Sequence, residues 1–157
     1  MDSAEPSRPI SPRKNGEDQS SASYRLDDQV GFLLRRVTQR HVAIFAAQMG
    51  EDITPMRWAV LAKLHEAGPS SQNRLGRSTA MDGATIKGVV DRLMGRGLIQ
   101  TQPDPLDARR RVIALTDAGR RLVEGSIATG LAITHQTLAP LTQSERATLL
   151  GLLRKMV

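Results

Sequence analysis

The chain contains no cysteine. That excludes a disulfide scaffold, a cysteine-ligated zinc site and a thiol redox sensor. Aromatics are scarce: two Phe, one Trp and one Tyr in 157 residues. No apolar run approaches the roughly 18 residues of a membrane span, and the opening residues lack the apolar core of a signal peptide. Histidines are few and scattered (His41, His65, His135), with no H-x-x-x-H pair, so no metal site is expected. No G-x-S-x-G occurs. Gly83 and Gly88 imitate the glycine spacing of a P-loop, but Val89-Val90 follow where Lys-Ser/Thr is needed. Catalytic residues, cofactors and an enzymatic role are therefore not expected. A cytoplasmic, soluble protein is.

What the chain does have is an uneven distribution of charge. The net charge is +6. Residues 72–121 hold ten Lys and Arg against five Asp and Glu, and the rest of the chain is close to neutral. A basic segment this localised points to a polyanionic partner.

Residues 1–25 read as a disordered tail, because Pro6, Pro9 and Pro12 sit among polar residues with little apolar content. A long helix is expected from about Asp27 to Met49, ended by Gly50. At about 100° per residue, Val30, Leu33, Leu34, Val37, His41, Ile44 and Phe45 share one face. Phe32, Ala43 and Ala46 fall near the opposite face, so burial on two sides is expected, with another subunit as a candidate for the second neighbour. Thr54-Pro55 starts a helix that Gly68-Pro69 stops. Ser70 or Ser71 caps a short helix near Gln72–Ser78. Asp82 caps the next, Gly83 to Arg96, with Gly97 as its left-handed terminator. Leu98–Thr101 and Arg111–Leu115 read as short strands around a polar turn region, Gln102–Arg110. Thr116 caps a helix from Asp117 towards Leu138, with Val123, Ile127, Leu131, Thr134 and Leu138 on one face. Thr142 and Glu145 form a capping box for a last helix, striped with Leu149, Leu152, Leu153 and Met156.

Short helix, turn, helix, hairpin is the order of a winged helix-turn-helix. The fold class expected is mainly α with a small β-hairpin wing, dimerising through its N- and C-terminal helices. In the second helix Ile86, Val90 and Leu93 supply an apolar back. Ala84, Thr85, Lys87, Gly88, Asp91 and Arg92 supply the front and sides. A helix N-terminus offers free N–H groups to phosphate. Gly88 costs about 1 kcal/mol relative to Ala, which a close approach of the backbone to DNA would explain. At the wing, Asp107-Ala108-Arg109-Arg110-Arg111 puts three cations at an exposed tip suited to a minor groove. Asp107 is expected to orient Arg109 by a charge-assisted bond.

These residues resemble the MarR family of winged-helix transcription regulators. Asp107-Ala108-Arg109 matches its Asp-x-Arg wing signature, and Leu115-Thr116-Asp117-Ala118-Gly119 its Leu-Thr-x-x-Gly start of helix 5. Met81–Thr85, Val89–Leu93 and Gly97-Leu98-Ile99 match its recognition helix and following strand, and Thr54-Pro55 before Trp58 its helix 2 start. The resemblance covers about 27–157. It implies a MarR-type domain over 26–157, with a winged helix-turn-helix at about 53–116 and dimerisation helices at about 27–49 and 117–157. It also implies a homodimer on double-stranded, pseudo-palindromic promoter DNA, repression, and release by a small aromatic carboxylate. Asp28–Phe32 with Gln39-Arg40-His41 and Phe45 is similar to members that control nicotinate or related aromatic-acid catabolism. An N-heteroaromatic carboxylate therefore belongs among the expected effectors.

The DNA-contacting candidates are Gln72, Ser78, Thr79, Asp82, Gly83, Ala84, Thr85, Lys87, Arg92, Asp107, Arg109 and Arg110. Thr85 and Lys87 are placed at or near bases, and Gln72, Ser78 and Thr79 at phosphates. For the effector, His41 and His65 read either as hydrogen-bonded core histidines or as lining one cavity walled by Phe45 and Trp58. In that cavity Arg40 or Arg57 pairs with the acid. The competing readings are a ligand-independent DNA-binding regulator and an interaction module that has lost DNA binding.

Overall fold

The computed structural model describes residues 24–157. Apart from Tyr24 and Arg25, the tail expected over 1–25 lies outside the described residues. A 3₁₀ turn at Leu26–Asp28 leads into α1 (Val30–Met49), α2 (Pro55–Ala67), α3 (Gln72–Ser78) and α4 (Gly83–Gly95). The hairpin of β1 (Ile99–Asp104) and β2 (Asp107–Leu115) follows, then α5 (Asp117–Thr137) and α6 (Gln143–Met156).

Local chemistry sets the helix starts. Thr54 Oγ1 accepts from the Arg57 N–H with Pro55 behind it, and Ser71 Oγ accepts from the Arg74 N–H. Asp82 Oδ1 accepts from the Thr85 N–H at 2.7 Å. Thr142 and Glu145 close the capping box. Ser70 has a different task. Its N–H donates to the Ile113 carbonyl and its carbonyl accepts from the Ile113 N–H, which adds a short third rung to the sheet.

The start of α5 explains the Leu-Thr-x-x-Gly pattern. Thr116 Oγ1 accepts from the Gly119 N–H at 3.1 Å and donates to the Gly97 carbonyl at 2.6 Å. A Cβ at Gly119 would overlap the Leu98 carbonyl oxygen. Only glycine lets α5 begin this close to the end of α4.

The core lies under the winged helix. Val60, Leu61 and Leu64 of α2 meet Leu75 of α3, Ile86, Val90 and Leu93 of α4, and Ile99 and Ile113 of the hairpin. Val89 is buried as well, so the back of α4 is wider than the three residues expected. From outside, Phe45 of α1 and Val123 and Ile133 of α5 close the core.

Two expectations need correction. The strands run three to four residues further into the polar stretch than Leu98–Thr101 and Arg111–Leu115, and only Pro105 and Leu106 remain between them. An antiparallel ladder needs only opposed backbone groups, so polar side chains do not end it when both faces of the tip meet solvent. Asp104 Oδ1 then accepts from the Leu106 N–H, an Asx bond that holds the tight turn. Second, α1 begins at Val30, after the 3₁₀ turn, rather than at Asp27. Within this chain α1 is covered on one side only, which leaves the other side for another subunit. His41, Ile44 and Phe45 turn to the core, while Val30 (63%), Leu33 (45%), Leu34 (44%) and Val37 (55%) stay exposed. The α5 stripe divides likewise: Val123 is buried, while Ile127 and Leu131 face out. No residue of α6 is buried. Among the described residues no helix is long and apolar enough to cross a membrane.

Candidate nucleic-acid interface and effector cleft

The helix-turn-helix is drawn tight by small residues. A Cβ at Gly76 of α3 would lie 3.1 Å from the Met81 carbonyl oxygen and 3.4 Å from the Ile86 side chain. Ala80 takes φ +53 in the turn, a left-handed conformation that a short side chain tolerates at modest cost. Gly83, Ala84, Lys87, Asp91 and Arg92 are exposed on the front of α4, while Thr85 and Gly88 are half-buried. Lys87 Nζ bonds Asp91 Oδ2 at 2.8 Å. That hydrogen bond, and then the Coulomb attraction, raise its pKa. The Thr85 N–H holds the Asp82 carboxyl below the ordinary range. Asp82 therefore caps α4 as an anion.

The candidates on α3 are partly engaged. The Ser78 and Thr79 hydroxyls both donate to the Leu75 carbonyl, at 3.1 and 2.6 Å. Each hydroxyl has one proton, so neither donates to a phosphate without letting go of α3. Gln72 is half-buried at the first turn of α3. Asn73 and Arg77, which the sequence reading did not single out, line a cavity of about 210 Å³ between α3 and α4 together with Gly83. Their i, i+4 spacing on a short basic helix was the available signal.

At the wing, the charge-assisted bond expected between Asp107 and Arg109 runs to the Arg109 backbone, not to its guanidinium. Asp107 Oδ1 accepts from the Arg109 backbone N–H at 3.0 Å, and its Oδ2 lies 3.4 Å from Arg110 Nε. The Asx bond uses the near oxygen, and the far one is left to Arg110. The Arg109 guanidinium has no hydrogen-bond or ion-pair partner among the described residues.

The effector candidates are spread along α5. His41 Nδ1 meets Thr137 Oγ1 at 3.0 Å. The Thr137 hydroxyl donates its proton to the Ile133 carbonyl, so it can only accept from His41. His41 Nδ1 is thus the donor of this bond, and Nε2 has no hydrogen-bond partner among the described residues. Its ring leans on Phe45, with centroids 6.1 Å apart. Arg40 Nη2 donates to the Gln136 carbonyl at 3.2 Å. Trp58 packs over Gly130, and His65 Nε2 lies 3.6 Å from Glu124. Arg57 Nη1 donates to the Asp52 carbonyl at 2.7 Å.

One cavity lined by both histidines is therefore not formed in this chain. Their α5 partners, Glu124 and Thr137, stand roughly 20 Å apart at 1.5 Å per residue. α1 and α2 dock on different stretches of α5, with Trp58 between. The cavities that Arg40 lines do not include His41, Phe45, Trp58 or His65. One of them, about 280 Å³, opens between α1 and the α5–α6 turn against Val37, Leu138, Pro140, Leu141 and Leu149.

This geometry has close relatives. The family model described as the MarR family matches residues 51–110. The HTH-type transcriptional repressor NicR of Pseudomonas putida is 42% identical over 135 residues, covering 85% of this chain and 85% of its own. The crystal structure of a probable transcriptional regulator from Pseudomonas aeruginosa matches with a TM-score of 0.81 and 52% identity, over 85% of this chain and 100% of the other. The structure of Bordetella bronchiseptica BpsR, whose DNA binding is regulated by 6-hydroxynicotinic acid, matches with a TM-score of 0.79 and 40% identity, over 85% and 96%. The hairpin wing, the capped α3–α4 pair and these relatives agree: the chain belongs to the MarR family of winged-helix transcription regulators and is not an enzyme.

Proposed function

We propose that the protein is a homodimeric repressor of aromatic-compound catabolic genes. In this reading α4 enters a major groove and the wing enters the flanking minor groove. The observation that carries it is the Arg109 guanidinium at the wing, exposed and without a hydrogen-bond or ion-pair partner among the described residues. Gly83, Ala84, Thr85, Lys87 and Arg92 face the bases and nearby backbone. Gln72 sets the register on a phosphate, Ser78 and Thr79 join it only by exchanging the Leu75 carbonyl for a phosphate oxygen, Asp82 holds the start of α4, and Asp107 and Arg110 support the wing. The lobe at about 53–116 reads DNA, and the helices at about 27–49 and 117–157 dimerise. The uncovered apolar faces of α1, α5 and α6 support that division. Patches of this kind on a small chain mark an interface. Two copies would read half-sites about 10 bp apart.

The effector we propose is a small aromatic or N-heteroaromatic carboxylate. The support is the likeness to BpsR and the free Nε2 of His41 beside Phe45, with Arg40 one residue away. Trp58 supplies a second wall, and Arg57 or His65 serves only if the α1–α2 junction rearranges. A ligand that binds better to a dimer with the wrong helix spacing weakens DNA binding by that affinity difference.

The test starts from a duplex that the wild-type dimer selects from random DNA. Arg109→Ala is expected to weaken binding to it and to flatten the salt slope by about one unit, as one counterion is no longer displaced. Unchanged affinity and slope, with the dimer intact, would remove the wing from the mechanism. Benzoates, hydroxycinnamates and nicotinates are then titrated against the complex. Release of wild type but not of His41→Ala supports the cleft. No release by any acid at millimolar concentration points instead to a ligand-independent regulator.

A further inference from the structure

The end of the recognition helix is tied to a loop that lies outside the helix-turn-helix. Arg96 is the C-cap of α4, directly before the left-handed Gly97. Its Nη1 donates to the Asp52 carbonyl at 2.6 Å, and its Nη2 lies 3.2 Å from Asp52 Oδ2. The same carbonyl accepts from Arg57 Nη1 of α2 at 2.7 Å. Asp52 has little freedom, because the next residue, Ile53, is buried in the core and Thr54 caps α2. Two guanidiniums from two helices thus converge on one fixed oxygen, and the Asp52 carboxylate offsets their mutual repulsion.

We infer that Asp52, Arg57 and Arg96 form a clasp that sets the tilt of the recognition helix, with Asp52 and Arg96 as positioning residues for operator binding. An exposed ion pair adds little stability, so the consequence is geometric. On its other side the end of α4 is held by Thr116, through Gly97 and Leu98. The buried back of α4 (Ile86, Val89, Val90 and Leu93) seats the helix on the core, and the clasp and Thr116 hold its end from two elements and so fix its direction on that seat. α4 is 13 residues long, roughly 20 Å. A tilt of about 5° at Arg96 would carry Gly83 by nearly 2 Å, too far for base-edge hydrogen bonds of fixed geometry. Phosphate attraction tolerates such a shift and base readout does not. The clasp therefore acts on specificity.

This inference rests on α4 being the DNA-reading helix, and its test separates the two. Simple electrostatics predicts that removing an acid from a DNA-binding protein tightens binding. The clasp predicts the opposite. Full-length Asp52→Ala and Arg96→Met are measured against the selected operator duplex and a scrambled one. Arg96→Met loses both of its contacts and is expected to lose about tenfold on the operator, near the low end of what one lost base contact costs; Asp52→Ala keeps the carbonyl and loses only the carboxylate, so a smaller loss of the same kind is expected. Asp52→Ala should keep its affinity for scrambled DNA and its salt slope. The double variant should be no worse than Arg96→Met. Amide hydrogen exchange at Arg92–Gly97 in the free protein should quicken in both single variants, whatever DNA the protein reads. Wild-type or tighter operator binding by Asp52→Ala would overturn the inference. So would a loss by Arg96→Met alone with a flattened salt slope, which would make Arg96 a phosphate contact. Unchanged exchange in either variant would overturn it without reference to DNA.

Discussion

Gly88→Ala separates the two demands on the recognition helix. Gly88 sits in the middle of α4, half-buried, with Val89 and Val90 behind it in the core. Among the described residues, a Cβ at Gly88 would meet no atom within 4 Å beyond its chain neighbours and the backbone of its own helix. The fold therefore does not require this glycine, and its cost is conformational. Replacing it by Ala is expected to stabilise the free protein by about 1 kcal/mol, a rise in Tm of roughly 2–4 °C for a chain of this size. If α4 brings its backbone against base edges, the added methyl overfills that contact. Overpacking costs about 1–3 kcal/mol, roughly fivefold to more than a hundredfold in Kd. Urea denaturation and anisotropy titration of a labelled operator duplex read the two effects separately. A variant that is more stable and binds the operator as wild type does would refute the close approach. A variant that is not stabilised would show that the free protein itself needs glycine there.

Gly119→Ala should be far more harmful, because the new Cβ would collide with a backbone oxygen, at Leu98, that cannot swing away. A loss of at least about 3 kcal/mol is expected in denaturant midpoints; a near-neutral variant would mean that α5 slides freely on the end of α4. Asp82 gives a pH test. Its folded pKa lies below the ordinary 3.8 because the Thr85 N–H bonds the carboxylate. Its contribution to α4 is therefore complete above that ordinary value and fades as pH falls through the lower folded one. Wild type should lose stability in that acid window relative to Asp82→Asn, and a pH-independent difference between the two would remove the anionic cap.

Much of this protein is legible locally. Thr54-Pro55, Ser71, Asp82, Thr116 and the Thr142–Glu145 box each satisfy orphan N–H groups within three residues of themselves. Helix starts therefore follow from short-range hydrogen-bonding chemistry, whatever packs on top. Gly50, Gly68 and Gly97 end helices with positive φ for the same local reason. The apolar back of α4 and the cluster of wing cations are also patterns of one element, and they survive intact. The same residues carried the family resemblance.

Properties that depend on two elements meeting were decided by the tertiary structure. Periodicity puts Val30, Leu33, Leu34 and Val37 on one face with Phe45, but it cannot say that the core ends before that face does. His41 and His65 look alike in sequence, each beside apolar neighbours. Only the docking of α1 and α2 on different stretches of α5 sends one to Thr137 and the other to Glu124. The hairpin outgrew its apolar residues because opposed backbones continue a ladder without apolar side chains. Asp52 shows no signal at all among the polar residues of a short loop. Its role arises because Arg96, 44 residues later in the chain, is brought to its carbonyl by the packing of α4 on α2, and no periodicity or cap reports a contact made across that distance.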